Sequence, residues 1–111
     1  MIYVIATLEL ASGTRAAFLA EFAKVVPLVR AEAGCIEYAP AVDADTGLAI
    51  QSRIGPDKVT IVEKWASVDA LEAHDGAPHM QAYRARVKDY VRGKEIRVLA
   101  PAMVQSTKDS R

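Results

Sequence analysis

The chain carries two histidines, His74 and His79, set five residues apart around Gly76-Ala77-Pro78. Imidazole titrates at about pH 6.5 in water, so it is the side chain suited to taking and returning a proton near neutrality. On an unbroken helix, residues five apart point about 140° away from each other. A break at Gly-Ala-Pro would let both rings approach one site. The plainer alternatives are that His74 finishes a helix at its C-terminal end and that His79 is a solvated first-turn residue. Glu72 and Asp75 stand beside the pair, but the spacing matches no standard i, i+4 ligand arrangement. No metal site is expected from it.

Four further side chains attract attention. Trp65 is the single tryptophan. It ends an alternating run, on the same face as Glu63, and serves either as a flat wall for a ring-shaped ligand or as a core anchor. A carboxylate on a buried face must be paired or hydrogen-bonded. Glu63 therefore either orients a histidine or forms a salt bridge to Arg53, Arg84 or Arg97. Tyr83 follows His79 by one helical turn, so the two can face the same cavity. Tyr38 is a second phenol, on an extended segment. Either tyrosine can equally be core. Cys35 is the one cysteine, which leaves no intrachain disulfide and reads as a small buried apolar side chain. Neither a phosphate-binding glycine loop nor a serine nucleophile elbow is present.

These residues need elements to position them. Ile2 to Leu10 is β-branched and partly alternating, which predicts a strand with Ile2, Val4, Ala6, Leu8 and Leu10 on its more apolar face. Arg15 to about Ala33 predicts a helix. Its stripe is Phe18, Phe22, Val25 and Val29, with a kink or break at Pro27 and a left-handed cap at Gly34. Cys35 to Val42 reads as a strand interrupted by Pro40, Leu48 to Ile54 as a further strand, and Val59 to Trp65 as a clear one. Ser67 caps a short helix ending near His74. Pro78 opens another, running to about Val91 on the stripe Met80, Tyr83, Val87 and Val91, with Gly93 as its cap. Ile96 to Leu99 is the last strand.

Strand, helix, strands, broken helix, strand is the order of an α+β, ferredoxin-like fold, one antiparallel sheet with helices on one face. The strands are apolar on more than one face, which calls for a partner sheet and hence a homodimer. One domain is expected over residues 1–104, with a polar tail over 105–111.

The 14 basic residues balance 14 acidic ones, so the basic excess of a nucleic-acid binder is missing. Arg84, Arg86, Lys88 and Arg92 are interrupted by Asp89 and read as a solvated helix face. At 51% hydrophobic the chain has enough apolar side chains for a core, which excludes a disordered one. Met1 to Leu10 lacks a leading basic residue and is too short and alternating for a signal peptide or membrane span. The expected location is the cytoplasm, with no membrane partner.

Several strings together resemble the antibiotic biosynthesis monooxygenase family. They are Phe22-Ala23-Lys24-Val25-Val26-Pro27, Glu32 through Pro40, Val62-Glu63-Lys64-Trp65, Leu71-Glu72-Ala73-His74, Pro78-His79-Met80-Gln81-Ala82-Tyr83, and Ile96-Arg97-Val98-Leu99. The Glu-x-Trp strand end followed by a His-containing helix is the most specific of them. Within the family the chain is most similar to small bacterial quinol monooxygenases.

The resemblance implies a dimeric α+β barrel with a pocket between sheet and helices. It implies oxidation of a quinol or polyhydroxy aromatic by molecular oxygen, without metal or flavin. Such chemistry needs an aromatic-lined cavity, a base for a phenolic proton, and donors for the developing oxyanion. His79 matches the family's Pro-His string and is the first candidate base, with His74 second. Trp65, Tyr83, Tyr38 and Glu63 are the candidate substrate-binding residues. Haem-degrading relatives carry an asparagine early in strand 1 and a ligating histidine on the last helix. This chain has Thr7 at about the first position and no histidine around Tyr83 and Arg84, the comparable region, beyond His79 one turn earlier. Another relative processes a phosphorylated sugar-like signal and shares the Pro-His string. A phosphate substrate would need convergent Lys or Arg inside the pocket. A ligand-binding dimer without catalysis is the third alternative.

Overall fold

The computed structural model describes residues 1–103, so the expected tail and the last residue of the expected domain lie outside the described residues. The elements run β1 (Ile2–Leu10), α1 (Arg15–Arg30), β2 (Cys35–Ala41), β3 (Lys58–Trp65), α2 (Val68–Asp75), α3 (Pro78–Val87) and β4 (Val91–Leu99). The four strands form one antiparallel sheet in the order β2-β3-β1-β4. This is the expected ferredoxin-like α+β architecture.

The period-two alternation of strands sorts side chains onto two faces. Val4, Ala6, Leu8 and Leu10 of β1 share one face with Val59, Ile61, Glu63 and Trp65 of β3 and with Tyr38 of β2, and all are buried. Phe18, Phe22, Val25 and Val29 of α1 and Met80, Tyr83 and Val87 of α3 complete that core. The opposite face carries Tyr3, Ile5, Thr7, Thr60 and Val62, only half-buried. Two of its residues, Thr7 and Thr60, join through their hydroxyls at 2.9 Å.

Pro27 does not break α1, which runs three residues beyond it. An interior proline costs about 3 kcal/mol. Burial of Val25 and Val29 on either side of it offsets that cost by an amount of the same order, about 1.5–3 kcal/mol for each. The helix stops at Arg30, short of the expected Ala33. Residues 31–33 turn, and Gly34 takes a φ of +83°. A Cβ there would sit 2.6 Å from the Cβ of Ala70, so Gly34 is required both by its backbone and by the close approach of α2. Pro40 is tolerated because β2 is an edge strand.

Two expectations are corrected. Residues 48–54 form no strand but part of the β2–β3 loop. Side chains take the place of a partner strand there. The Asp43 carboxylate accepts from the Ile54 and Gly55 amides, both at 2.9 Å. Gln51 and Arg53 donate to the Ala44 carbonyl, and Arg53 also to that of Thr46. Those amide bonds hold the Asp43 carboxyl below its usual range.

The second correction is that α3 ends at Val87, and Val91 opens β4. Val91 keeps the helical spacing from Val87, which is why the sequence reads as continuous helix. A bulge between Glu9 and Leu10 sets Val91 opposite Leu10, on the helix-covered face. Gly93 is therefore not a helix cap but a mid-strand residue opposite Glu9.

Candidate functional site

The helices cover β2, β3 and β1 but stop short of β4. Ile96 and Val98 pair with Ala6 and Val4 on the helix-covered face, yet each is 54% exposed. The space this leaves is a cavity of about 810 Å³. A volume of this size suits a small organic ligand. Its floor is Val4, Ala6 and Leu8 of β1 with Ile61 and Glu63 of β3, and Ile96 and Val98 form the outer wall. Phe22, Tyr38, His74, Met80 and Tyr83 close the inner end.

The polar groups at that end come from four elements. Ser67 caps α2 by accepting from the Ala70 amide at 3.1 Å, which fixes the helix that ends at His74. Ala77, extended, redirects the chain, and Pro78 starts α3 with His79 in its first turn. The break brings the two imidazoles to a single carboxylate. Glu32, in the turn after α1, accepts from His74 Nδ1 at 3.0 Å and from His79 Nε2 at 2.6 Å. His74 is buried, with its ring 4.6 Å from that of Trp65 and 5.5 Å from that of Tyr38.

Glu63 has no arginine partner among the described residues. Its Oε1 accepts from Trp65 Nε1 at 2.9 Å. Arg84 instead binds the Asp75 carbonyl and carboxylate, Arg97 binds Glu95, and Arg53 serves the β2–β3 loop. Of these three arginines, Arg84 alone lines the cavity, at an exposed position. The Glu63 carboxyl is pushed above its ordinary value of 4.5, chiefly by burial. The Trp65 N–H and the nearby His74 oppose that rise, and the charge of Glu32 adds to it.

A raised folded-state pKa means the folded protein binds the proton more tightly than the unfolded chain. Stability then falls as pH rises from the unfolded value through the folded one. Glu63→Gln keeps the shape and the acceptor for Trp65 but removes the charge. We expect it to unfold at a higher temperature than the parent protein at pH 7, with the advantage shrinking toward pH 4. Thermal melts at the two pH values check this, and an unchanged difference would remove carboxylate desolvation as the cause.

Burial also pushes the phenols of Tyr38 and Tyr83 well above their usual range. Both therefore remain neutral O–H donors at physiological pH. Neither hydroxyl has a protein partner among the described residues, and neither do His74 Nε2 or Glu63 Oε2. No fully enclosed side-chain polar atom in the described structure lacks a partner. These four groups are therefore open to the cavity that their residues line.

The structure thus separates the sequence candidates. Tyr38, Glu63, His74 and Tyr83 line one cavity. Trp65 is fully buried behind it, as a core anchor that also holds Glu63 and packs against His74 with the rings tilted by 34°. His79 does not line the cavity; it is a quarter exposed and bonds the same Glu32 oxygen as His74. Sequence reasoning did not single out Glu32. One signal was available, an acidic residue at a helix C-terminus, where the helix dipole favours a cation. Thr7 points away from the cavity, to the opposite face. Among the described residues, no group of three or more His, Cys, Asp or Glu side chains is arranged to hold a metal ion. None of the described helices is long and apolar enough to cross a membrane.

The family model for antibiotic biosynthesis monooxygenases matches residues 1–86. The chain belongs to that family. The match contains β1 through most of α3, and so every element that contributes Tyr38, Glu63, His74 and Tyr83. Among curated relatives, the probable quinol monooxygenase YgiN of Escherichia coli (strain K12) is 44% identical over 105 residues, 93% of this chain and 100% of that protein. Among solved structures, Rv0793 from Mycobacterium tuberculosis superposes with a TM-score of 0.75 at 30% identity, covering 95% of this chain and 98% of that one. PA3566 from Pseudomonas aeruginosa gives a TM-score of 0.75 at 25% identity, with 92% and 94% coverage. The antibiotic biosynthesis monooxygenase fold is thus shared over nearly the whole chain.

Proposed function

We propose that this chain is a quinol monooxygenase that oxidises a small quinol or polyhydroxy aromatic with molecular oxygen, without a metal or flavin. The observation that carries the reading is the 44% identity to the E. coli probable quinol monooxygenase across that protein's full length. The cavity's chemistry supports it. A flat ring fits between the aliphatic sheet floor and Phe22, Tyr38, Met80 and Tyr83. His74 is the base that takes a ring-hydroxyl proton, leaving the electron pair on oxygen. The electron-rich anion then reduces oxygen. One oxygen atom enters the ring and the other leaves as water, with the quinol oxidised to a hydroxyquinone. The Tyr38 and Tyr83 hydroxyls donate to the charged ring oxygens.

A phosphorylated sugar fits this cavity less well. Its inner end, around His74, is lined by aromatic and aliphatic side chains and the Glu63 carboxyl. The cations Arg84, Lys88 and Lys94 are all exposed, and Arg84 is paired with Asp75.

The half-buried second face of the sheet, with Tyr3, Ile5 and Val62, supports the homodimer. Light scattering at micromolar concentration should give twice the 12.0 kDa chain mass. A mass of one chain would remove the dimer.

Oxygen uptake with a reduced naphthoquinol tests the activity. Saturable uptake above the quinol's own autoxidation, unchanged by chelator and by superoxide dismutase, is the expected result. Uptake that vanishes with chelator would overturn the metal-free reading. No enhancement across a panel of quinols would overturn the oxygenase.

A further inference from the structure

We propose that Glu32 is the positioning residue of this site, setting the tautomer of His74 so that its Nε2 lone pair faces the cavity. The inference rests on the reading of His74 as base and adds to it the group that makes the base competent. An ionised carboxylate accepts hydrogen bonds and cannot donate them. His74 Nδ1 at 3.0 Å and His79 Nε2 at 2.6 Å must then each carry a hydrogen. A neutral imidazole protonated on Nδ1 has its lone pair on Nε2, the nitrogen open to the cavity. The opposite tautomer would place two acceptors, Nδ1 and the carboxylate, against each other and leave the cavity facing an N–H.

Glu32 is built for this task. Its side chain is 14% exposed, and no lysine or arginine pairs with it among the described residues. The groups around His74 are Glu32 from the α1–β2 turn, Tyr38 from β2, and Glu63 and Trp65 from β3. His79 of α3 bonds the same Glu32 oxygen as His74. Glu63 accepts from the Trp65 indole through Oε1 and makes no hydrogen bond to the His74 ring. Among the described residues, Glu32 is therefore the one carboxylate bonded to the His74 ring. When His74 Nε2 takes the substrate proton, an O–H bond breaks and an N–H bond forms. The resulting imidazolium lies against the Glu32 charge, which stabilises it. The Nε2 proton later leaves with the reduced oxygen as water, and Glu32 touches neither substrate nor oxygen. His79 Nε2 bonds the same oxygen, Glu32 Oε2, tying the α1–β2 turn to α3.

Two measurements test this. Long-range 15N–1H NMR of the ligand-free protein, at a pH where His74 is neutral by its own titration, should show Nδ1 protonated and Nε2 bare. A proton on His74 Nε2 would overturn the proposal, and this arm needs no variant and no activity. In the second arm, Glu32→Gln keeps an acceptor but no charge. It should lower kcat for a reduced naphthoquinol roughly 10- to 100-fold. KM should stay within about twofold, since Glu32 does not touch the substrate. Glu32→Asp should recover part of the loss. Parent-level turnover in Glu32→Gln would overturn stabilisation of the imidazolium by the Glu32 charge, and the tautomer is decided by the first arm. Should the unaltered protein consume no oxygen with any quinol, the oxygenase reading falls, and the NMR tautomer still decides the role of Glu32.

Discussion

Replacing His74 with alanine should lower quinol turnover roughly 10²- to 10⁴-fold, the usual contribution of a positioned general base. In barrier terms that is about 3–5 kcal/mol. The loss should fall on kcat, because His74 forms one end of a large cavity and the apolar walls that bind a ring remain. His74 is also packed against Trp65, so the variant loses contacts as well as a base. His74→Phe separates the two effects, since it keeps a flat ring beside the indole and removes the nitrogens. Turnover of His74→Phe within about tenfold of the parent protein would show packing, not proton transfer, to be the role. His79→Ala should lose less, because His79 does not line the cavity and reaches His74 only through Glu32. Cys35→Ala is the control: burial raises its thiol above the ordinary value, away from a reactive thiolate, and it does not line the cavity. Oxygen uptake ranked His74, then His79, then Cys35 in severity is the expected order. A larger loss at His79 than at His74 would reverse the assignment of the base.

That order differs from the one the sequence suggests, and the reason is geometric. The residue types and the break at Gly76-Ala77-Pro78 were readable, and so was the chance that both rings meet one site. Which ring faces the cavity depends on a third group, Glu32, 42 residues before His74 in sequence. Local pattern carries strands such as β3, where Val59, Ile61, Glu63 and Trp65 alternate as they are buried. It fails where two periods overlap, as at Val91, and where side chains replace strand pairing, as around Asp43. The arginines show the same limit. Glu63 was legible as a carboxylate in need of a partner. That its partner is the indole two residues on, and none of Arg53, Arg84 and Arg97, depends on how far the helices reach across the sheet.

Trp65 carries the second large effect, on stability. It is among the largest fully buried side chains, and truncating a buried tryptophan to alanine costs about 3–5 kcal/mol. A domain of 111 residues loses roughly 4 °C of melting temperature per kcal/mol, so Trp65→Ala should melt roughly 12–20 °C lower. The indole also donates to Glu63, whose carboxyl is already held above its ordinary value by burial. Trp65→Phe keeps most of the ring and removes that donor. Its stability loss should be smaller than that of alanine. Both variants lose the donor to Glu63, so both should show a pH-dependent part, and the excess loss in alanine should be the pH-independent packing defect. With its hydrogen bond gone, Glu63 should hold its proton to still higher pH, so the loss should be small near pH 4 and grow as pH rises through the new value. Melting curves of both variants from pH 4 to 8 separate the two contributions. A pH-independent deficit in Trp65→Phe would mean that the indole N–H does nothing for Glu63. A deficit that grows with pH would show one side chain acting both as the anchor of the sheet's core and as the donor that keeps a buried carboxylate beside His74.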